Sequence, residues 1–536
     1  MATPETTDVE DADTAPRPAV TKRPFARSAP MLTFIARRVL SSLLVLLGAT
    51  FIVFMLFSYS VDPLEDLRFS NAPNVQQLMD ERIALLNLDV PPVIRYFMWL
   101  GGVLRGDLGA SWQTGQTVSS MLGSAIPSTV SLVAASLILA IGLGILVGII
   151  AALRQYTRFD YAVTFLSFVL FSLPSFWVAV LLKLWGAIGF NDFLRDPTIA
   201  WYTIALVSLL SGGLWSAIIG GVRRARWVTF ASGTVATAIA LAFISETDWI
   251  LDPSLGYFGV AVLGAGVAFG VVALTAGLAN KRALYAALTA AGVGVALKFP
   301  LQFVFVNASW PLILGLGVAA IASGCLIGWL YGGHDRGVSM RAASITAVMT
   351  GAFLFVDRVM QVWYLYNRAP QINHRPISTI GAQTPGLRGD FWITTLDQWT
   401  HLILPTVTLI LISFAGYTRY TRASMLEVMN QDYIRTARAK GLSERVVTVR
   451  HAFRNALIPL ATIVPLDVAA MFGGAIITER IFAWSGMGAM FMSALQRADV
   501  NPIMGHFLVI GSLLVLASIL VDFIYAALDP RIRVNA

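Results

Sequence analysis

Twelve stretches of this chain are each close to twenty residues long and almost wholly apolar. That length is what an α-helix needs to cross the hydrocarbon core of a bilayer, roughly 20 residues, and within that core only helices or closed barrels can satisfy the backbone. The stretches lie at about 36–58, 128–152, 161–188, 199–221, 227–246, 257–279, 283–299, 311–331, 342–364, 400–420, 457–481 and 506–528. The weakest is 283–299, where Lys298 and Pro300 crowd the end. Between them no polar stretch is long enough for a soluble domain of any size. Only 13% of the residues are charged, against about 25% in a soluble domain, so the chain cannot cover itself with a polar surface. The expected fold class is an all-α polytopic membrane protein.

Orientation follows from Lys and Arg in the short loops, which collect on the cytoplasmic side. Arg37 and Arg38 precede the first span; Arg154 and Arg158, then Arg223, Arg224 and Arg226, then Lys281 and Arg282, then Arg336 and Arg341 mark alternate loops after it. Between Arg419 and Arg454 eight basic residues face three acids (Glu427, Asp432, Glu444), and Arg531 and Arg533 follow the last span. The opposite loops lean acidic: residues 59–127 hold seven acids and four basic residues. The loop 365–398 is the exception, with three Arg to two acids. Both termini are therefore expected inside the cell. The net charge of +8 is what this asymmetry produces and gives no argument for nucleic acid. Residues 1–30, rich in Thr, Pro, Asp and Ala, read as a disordered cytoplasmic tail. The run Val39–Tyr59 is too long for a signal-peptide core and reads as an uncleaved span. Cys325 is the single cysteine, so no intrachain disulfide can form, and a small core residue is the expected role.

Catalytic chemistry is missing from the pattern. No GxxxxGK[ST] occurs and the dipeptide Gly-Lys is absent, so the chain lacks the loop and lysine that cradle nucleotide phosphates. HExxH, CxxC and GxSxG are absent too, and the five histidines are scattered. No cofactor or metal is expected on this chain.

The most distinctive segment is 419–456, RYTRASMLEVMNQDYIRTARAKGLSERVVTVRHAFRNA. Ala423–Ala439 is rich in helix formers, Gly441 stands where a glycine ends a helix, and Ser443 with Glu444 can open a second short helix. A helix, glycine and short helix lying along a membrane can seat in the groove of a partner protein. This loop resembles the EAA loop of ABC-importer permeases of the dipeptide/oligopeptide/nickel type. Arg435-Thr436-Ala437 stands at EAA, Gly441 at the motif's glycine and His451–Arg454 at its closing I-x-L-P; Ala437 and Gly441 match the general motif. The longer string TRASMLEV…DYIRTARAKGLSE…RHAFRNALIP is similar to the first permease of a peptide-type pair. FIARRVLSSLLVLLGATFIVFMLF, RYFMWLGGVLRGDLGASWQTGQTV, SLPSFWVAVLL, GGAIITERIFAWSGMGAMF and LVDFIYAALDPRIR extend the resemblance over about 31–190 and 398–533. The resemblance implies a type I permease core of six spans: 31–194 with an external segment 59–127, and 381–536 with the cytoplasmic loop 421–456. Block 195–380 is an insert of about six further spans, an even number that leaves the flanking orientation unchanged. It also implies a second homologous permease, cytoplasmic ABC ATPase subunits carrying ATP and Mg, an extracytoplasmic solute-binding protein, and a multi-pass place in the bacterial plasma (inner) membrane among its lipids. Contact with the ATPase would fall to Ala437, Lys440, Gly441, Leu442, Ser443, Glu444 and Arg445, with Leu442 as an apolar knob.

An ionisable group inside a span is costly and marks a functional candidate. Asp467, in IVPLDVAAMFGG, is placed to line a pathway; Glu479 and Arg480 read as interfacial, Asp522 as structural, and Lys183 and Lys298 as able to snorkel. Pro174 in SLPSF should kink or break the third span and is a candidate gate element. Segment 59–127, broken at Pro91–Pro92, reads as one or two short helices on the outer face, an entrance or docking element. The insert reads as a lipid-facing buttress or a docking surface. Two other classes compete: a twelve-span secondary transporter driven by an ion gradient, which calls for two related halves that the sequence does not show, and a lipid-linked membrane enzyme, which calls for a carboxylate or histidine cluster at a membrane face.

Overall fold

The computed structural model describes residues 29–528 apart from Ala72, His334 and Asp335; the expected tail and the arginines at 531 and 533 lie outside them. Among the described residues the secondary structure is almost wholly helical, and twelve helical stretches are long and apolar enough to cross a membrane. The first, α1 (Ala29–Ser60), leads into three short helices, α2 (Glu65–Arg68), α3 (Val75–Leu86) and α4 (Pro92–Val103), and α5 (Val118–Leu153) returns across the bilayer. The segment 59–127, expected on the outer face, thus holds three short helices rather than one or two, and its last ten residues belong to α5. Next come α6 (Arg158–Ser172), α7 (Ser175–Leu181), a π-helical stretch at Leu182–Gly189, and α8 (Phe190–Phe193). The single span expected over 161–188 is broken at Leu173–Pro174, both with extended backbone. The proline has no N–H to donate, and its ring disfavours a helical residue before it.

Six helices form the inserted block: α9 (Trp201–Ile219), α10 (Arg223–Glu246), α11 (Gly256–Thr275), α12 (Lys281–Val304), α13 (Trp310–Tyr331) and α14 (Arg336–Asn367). The chain then resumes with α15 (Phe391–Met429), α16 (Asp432–Ala439), α17 (Glu444–Val446), a π-helical stretch at Val447–Phe453, α18 (Arg454–Gly474), α19 (Ile476–Ile481), α20 (Met487–Gln496) and α21 (Val500–Leu528).

With lipid outside, helices associate through close backbone approach rather than through apolar burial from water. The pair α5–α15 shows how the sequence arranges this. A Cβ at Gly144 would stand 2.5 Å from the Tyr417 Cβ, and one at Gly148 would stand 2.7 Å from the Thr421 Cβ. The two glycines are four residues apart and so share a helix face. Gly324 and Gly328 play the same part for α13 against α14, where a Cβ would meet the backbone of Ser344 and Met340. On α12, Ala283, Ala286, Ala287 and Ala290 are buried against Ala342, Ala343 and Ala347 of α14 or the adjoining helices. The helices α11 to α14 thereby pack as one group, which reaches α15 through a cluster of Phe305, Val359, Val362, Tyr366, Trp392 and Leu396. The hairpin α9–α10 meets the rest through α6 and through Arg154, whose guanidinium reaches the Ile218 carbonyl.

At the end of the bundle formed by residues 61–117, Arg82 ties the short helices together. It bonds Pro63 O at 2.8 Å and Asp66 at 2.5 Å, and its guanidinium stacks 3.7 Å from the Trp112 ring. Asp499, 1% exposed, accepts from the Ser111 hydroxyl and locks this cap to the start of α21.

Candidate functional site

The distinctive basic segment emerges at the opposite end from that cap, since α5 crosses once between residue 117 and the Arg154–Arg158 turn to which α15 is bolted. Arg422 clamps Asp160 with two bonds, 2.6 and 2.9 Å, and Asp160 is 2% exposed. The Asp160 carboxylate also accepts from Tyr156 N at 3.0 Å. Beside it the Arg422 guanidinium holds the Asp160 carboxyl below the usual carboxylate range, a charge-assisted bidentate pair that fixes the base of the segment.

Above this base, the helix expected over Ala423–Ala439 is interrupted. α15 stops at Met429, Gln431 takes extended backbone, and α16 restarts at Asp432. The interruption lets α16 lay one face on the bundle. Ile434 and Ala437, three residues apart, are 0% and 5% exposed and pack with Met425, Ala152, Val447, Ala452 and Ala456. The opposite face carries Asp432 and Arg435, whose side chains are 96% and 71% exposed. Tyr433 and Asn455 bond at 2.9 Å, and Ser424 donates to Ala456 O at 2.8 Å, tying the elbow to the foot of the next span.

Gly441 ends α16 with φ +77, donating to Arg438 O at 2.9 Å while Leu442 N reaches Ala437 O. No atom lies within 4 Å of where its Cβ would be, so backbone conformation rather than space makes glycine fit here. Ser443 is extended and α17 starts at Glu444, whose carboxylate takes both Nε and Nη2 of Arg438, the shorter contact 2.8 Å.

The residues singled out for partner contact therefore separate. Lys440, Gly441, Leu442, Ser443 and Glu444 are exposed on one elbow. Ala437 instead turns its methyl into the bundle and seats the helix. The Arg445 side chain lies outside the described residues. The elbow presents an apolar Leu442 between Lys440 and the Glu444–Arg438 pair, an exposed surface carrying both signs of charge.

Within the spans, Asp467 is half-buried on α18 and faces the Tyr417 hydroxyl. Pro174 sits between α6 and α7, far along the chain from it. Arg38 bonds Asp522 at 2.5 Å, joining α1 to α21 in the structural role expected of that aspartate. Two expectations need correction. Lys183 and Lys298 do not snorkel: Lys183 Nζ donates to Ile481 O at 3.0 Å, and Lys298 Nζ pairs with Asp357 at 2.7 Å. Glu479 is not interfacial. It is 0% exposed, accepting from the Thr129 hydroxyl at 2.6 Å and Ala489 N at 3.0 Å. Gly486 and Gly488 have no side chain because a Cβ at either would strike that carboxylate.

Two groups were missed. Asp357 accepts from Leu255 N, Gly256 N and Gln361 as well as Lys298; it lay inside an expected span, and the rule that flagged Lys298 applies to it equally. The second group gathers Tyr366, Thr384, Asp397, Thr400 and His401 where α14 and α15 meet. Asp397 and His401, four apart on one helix, were its only signal.

A family described as "Binding-protein-dependent transport system inner membrane component" matches residues 144–534. The oligopeptide transport system permease protein OppB of Mycobacterium tuberculosis is 45% identical over 155 residues, 29% of this chain and 48% of that protein. The dipeptide transport system permease protein DppB of Escherichia coli K12 is 46% identical over 138 residues, 26% of this chain and 41% of that protein. These aligned stretches span about half or less of the relatives' own length. The oligopeptide transport system permease protein AppB of Bacillus subtilis aligns over 505 residues at 24% identity, covering 94% of this chain and 100% of that protein. With twelve membrane-length helices among its described residues, the chain belongs to the family of inner-membrane components of binding-protein-dependent transport systems.

Proposed function

We propose that this chain is a transmembrane permease subunit of an ATP-driven importer for peptides or a related small solute. On this reading it pairs with a second, homologous permease and receives solute from an extracytoplasmic binding protein. Cytoplasmic ATPase subunits, carrying ATP and Mg, act on it from the side of the elbow, and both termini lie in the cytoplasm on the same reading. The observation that carries the reading is the exposed Lys440–Glu444 elbow on its bolted base, in a chain of this family. A motor pulling on a floppy loop would move only the loop. Here a pull on α16 is passed through Ile434 and Ala437 to α15 and α5, and through Val447–Phe453 to α18. Asp467, beside Tyr417 on α18, and the break at Pro174 are then candidates for the pathway and gate. The peptide class rests on the names of the relatives, and an ion-gradient carrier is not favoured by a binding-protein-dependent family.

The test is co-expression with the neighbouring genes. An ATPase should co-purify with the chain, and Gly441→Val and Glu444→Ala should lower its recovery or uncouple ATP hydrolysis from uptake. Equal recovery and unchanged uptake in both variants would refute the elbow assignment.

A further inference from the structure

A cavity of about 920 Å³ opens between the outer end of α1 and the short helices α2 to α4, within the roughly 300–1,000 Å³ typical of small-molecule sites. Its wall holds Arg95, half-buried, 5.8 Å from the ring of the buried Phe54. No ion pair or side-chain hydrogen bond is made by Arg95 among the described residues. Burial alone acts on its guanidinium, pulling its pKa down with no acid to offset it. Three acids share this wall and none pairs with Arg95: Asp62 pairs with Arg68 at 3.1 Å, Asp107 accepts from Gly109 N, and Asp89 is exposed. A guanidinium left without an acceptor in the wall of such a cavity is a site for an oxyanion, because it is costly to leave unpaired.

We propose that this cavity holds the phosphate of a phospholipid from the leaflet on the side of the outer cap. Phosphate of that kind is what the cavity meets, since Phe54, Phe57 and Ser58 belong to α1, a membrane-crossing helix. An acyl chain has a path as well. Ile52 and Leu56, 67% and 60% exposed, stand on the face of α1 that continues into Tyr59 and Ser60 at the cavity rim. The lipid then fills the gap under α4 and holds the outer cap to α1.

The test uses the full chain purified in mild detergent and examined by native mass spectrometry. Wild type should retain a phospholipid. Arg95→Gln should retain it about ten-fold less, the loss of one charge-assisted contact, while Arg105→Gln, an exposed arginine of the same cap, should match wild type. Delipidated wild type, which needs no variant to fold, should take up a short-chain phosphatidylglycerol that neither inorganic phosphate nor dialanine displaces. Equal retention in Arg95→Gln and wild type, or no uptake by the delipidated chain, overturns the site. Displacement by phosphate or dialanine at concentrations near those of the lipid overturns the lipid as its occupant. None of these outcomes depends on which solute the chain transports.

Discussion

Thr129 offers the sharpest test of how the two halves of the core are held together. Its hydroxyl donates to Glu479 at 2.6 Å and accepts from Met487 N at 2.8 Å, and all three groups are buried. Thr129→Val keeps the shape of the side chain and opens no cavity, so the two bonds are what it removes. Leaving the Met487 N–H unpaired costs about 1–3 kcal/mol, and a bond to a charged acceptor contributes about 1.5–3 kcal/mol. The chain unfolded within a bilayer finds other partners, which is why single hydrogen bonds between membrane helices average only about 0.6 kcal/mol. For the two bonds that discount brings the expected loss to about 1–3 kcal/mol. It should be read as a lower SDS midpoint in reversible unfolding of the purified chain. Thr275→Val is the comparison, since that exposed hydroxyl bonds only the Val271 carbonyl of its own helix, and it should stay within about 0.5 kcal/mol. A loss below about 1 kcal/mol for Thr129→Val would mean that Glu479 is not the node joining α5, α19 and α20, and the argument from its burial would fall.

Gly441→Ala should cost about 1–2 kcal/mol, the price of a left-handed residue with a Cβ. The loss should show in hydrogen exchange of 432–446 rather than in global stability, because the added methyl touches nothing. The buried pair in the insert should respond asymmetrically. Asp357→Leu strands Lys298 and the N–H groups of Leu255 and Gly256 and should cost about 3–5 kcal/mol in SDS unfolding. Lys298→Met leaves Asp357 with its other donors and should cost less. Asp160 sets a pH dependence. Its folded pKa is lowered, so its contribution is full above the unfolded carboxylate value and is lost as pH falls through the folded one. Thermal stability of wild type should drop on acidification through that window, and Asp160→Asn, less stable at neutral pH, should flatten the drop.

The spans were legible because each needs a length of apolar sequence that little else requires, and twelve of them leave a clear periodic record. Gly441 was legible as a helix end for a similar reason: a left-handed residue favours glycine whatever surrounds it. The buried polar nodes were less so. Glu479 stands near the end of an apolar run, and nothing local distinguishes a carboxylate at an interface from one wrapped by Thr129, 350 residues earlier. The break after Met429 was hidden because Asn430 and Gln431 sit in sequence that favours helix on both sides. What interrupts it is the packing of Ile434 and Ala437 on α5 and α15, which local propensity does not contain. Ala437 shows the converse limit: it stands at a motif position, yet its side chain packs into the bundle, and a motif position does not say which way a side chain faces.

The insert was read as one block, yet the structure divides it, and the division can be tested by excision. α10 buries no residue, and its partner α9 buries two, Ser208 and Gly212. The pair is held mainly to itself: Gly212 lies against Phe230 and Thr234, and Ser211 bonds Thr237 at 2.8 Å. Its two ends already meet, with Ile199 N donating to Ser245 Oγ at 2.8 Å, so a short Gly/Ser linker can replace residues 200–244 without stretching the chain. Two crossings are removed together, and every later helix keeps its direction. The helices α11 to α14 differ in kind. Trp392, 0% exposed on α15, donates to Phe305 O at 2.8 Å, and Asn191 of α8 bonds both the N–H and the carbonyl of Ile377 beyond α14. Their removal would strip α15 of a buried aromatic cluster. The 200–244 deletion should therefore insert and purify with a midpoint of SDS unfolding close to wild type, whereas deletion of 250–367 should not yield folded protein. If the smaller deletion fails and the larger one folds, α9–α10 is the structural part of the insert and the contacts of Trp392 contribute little.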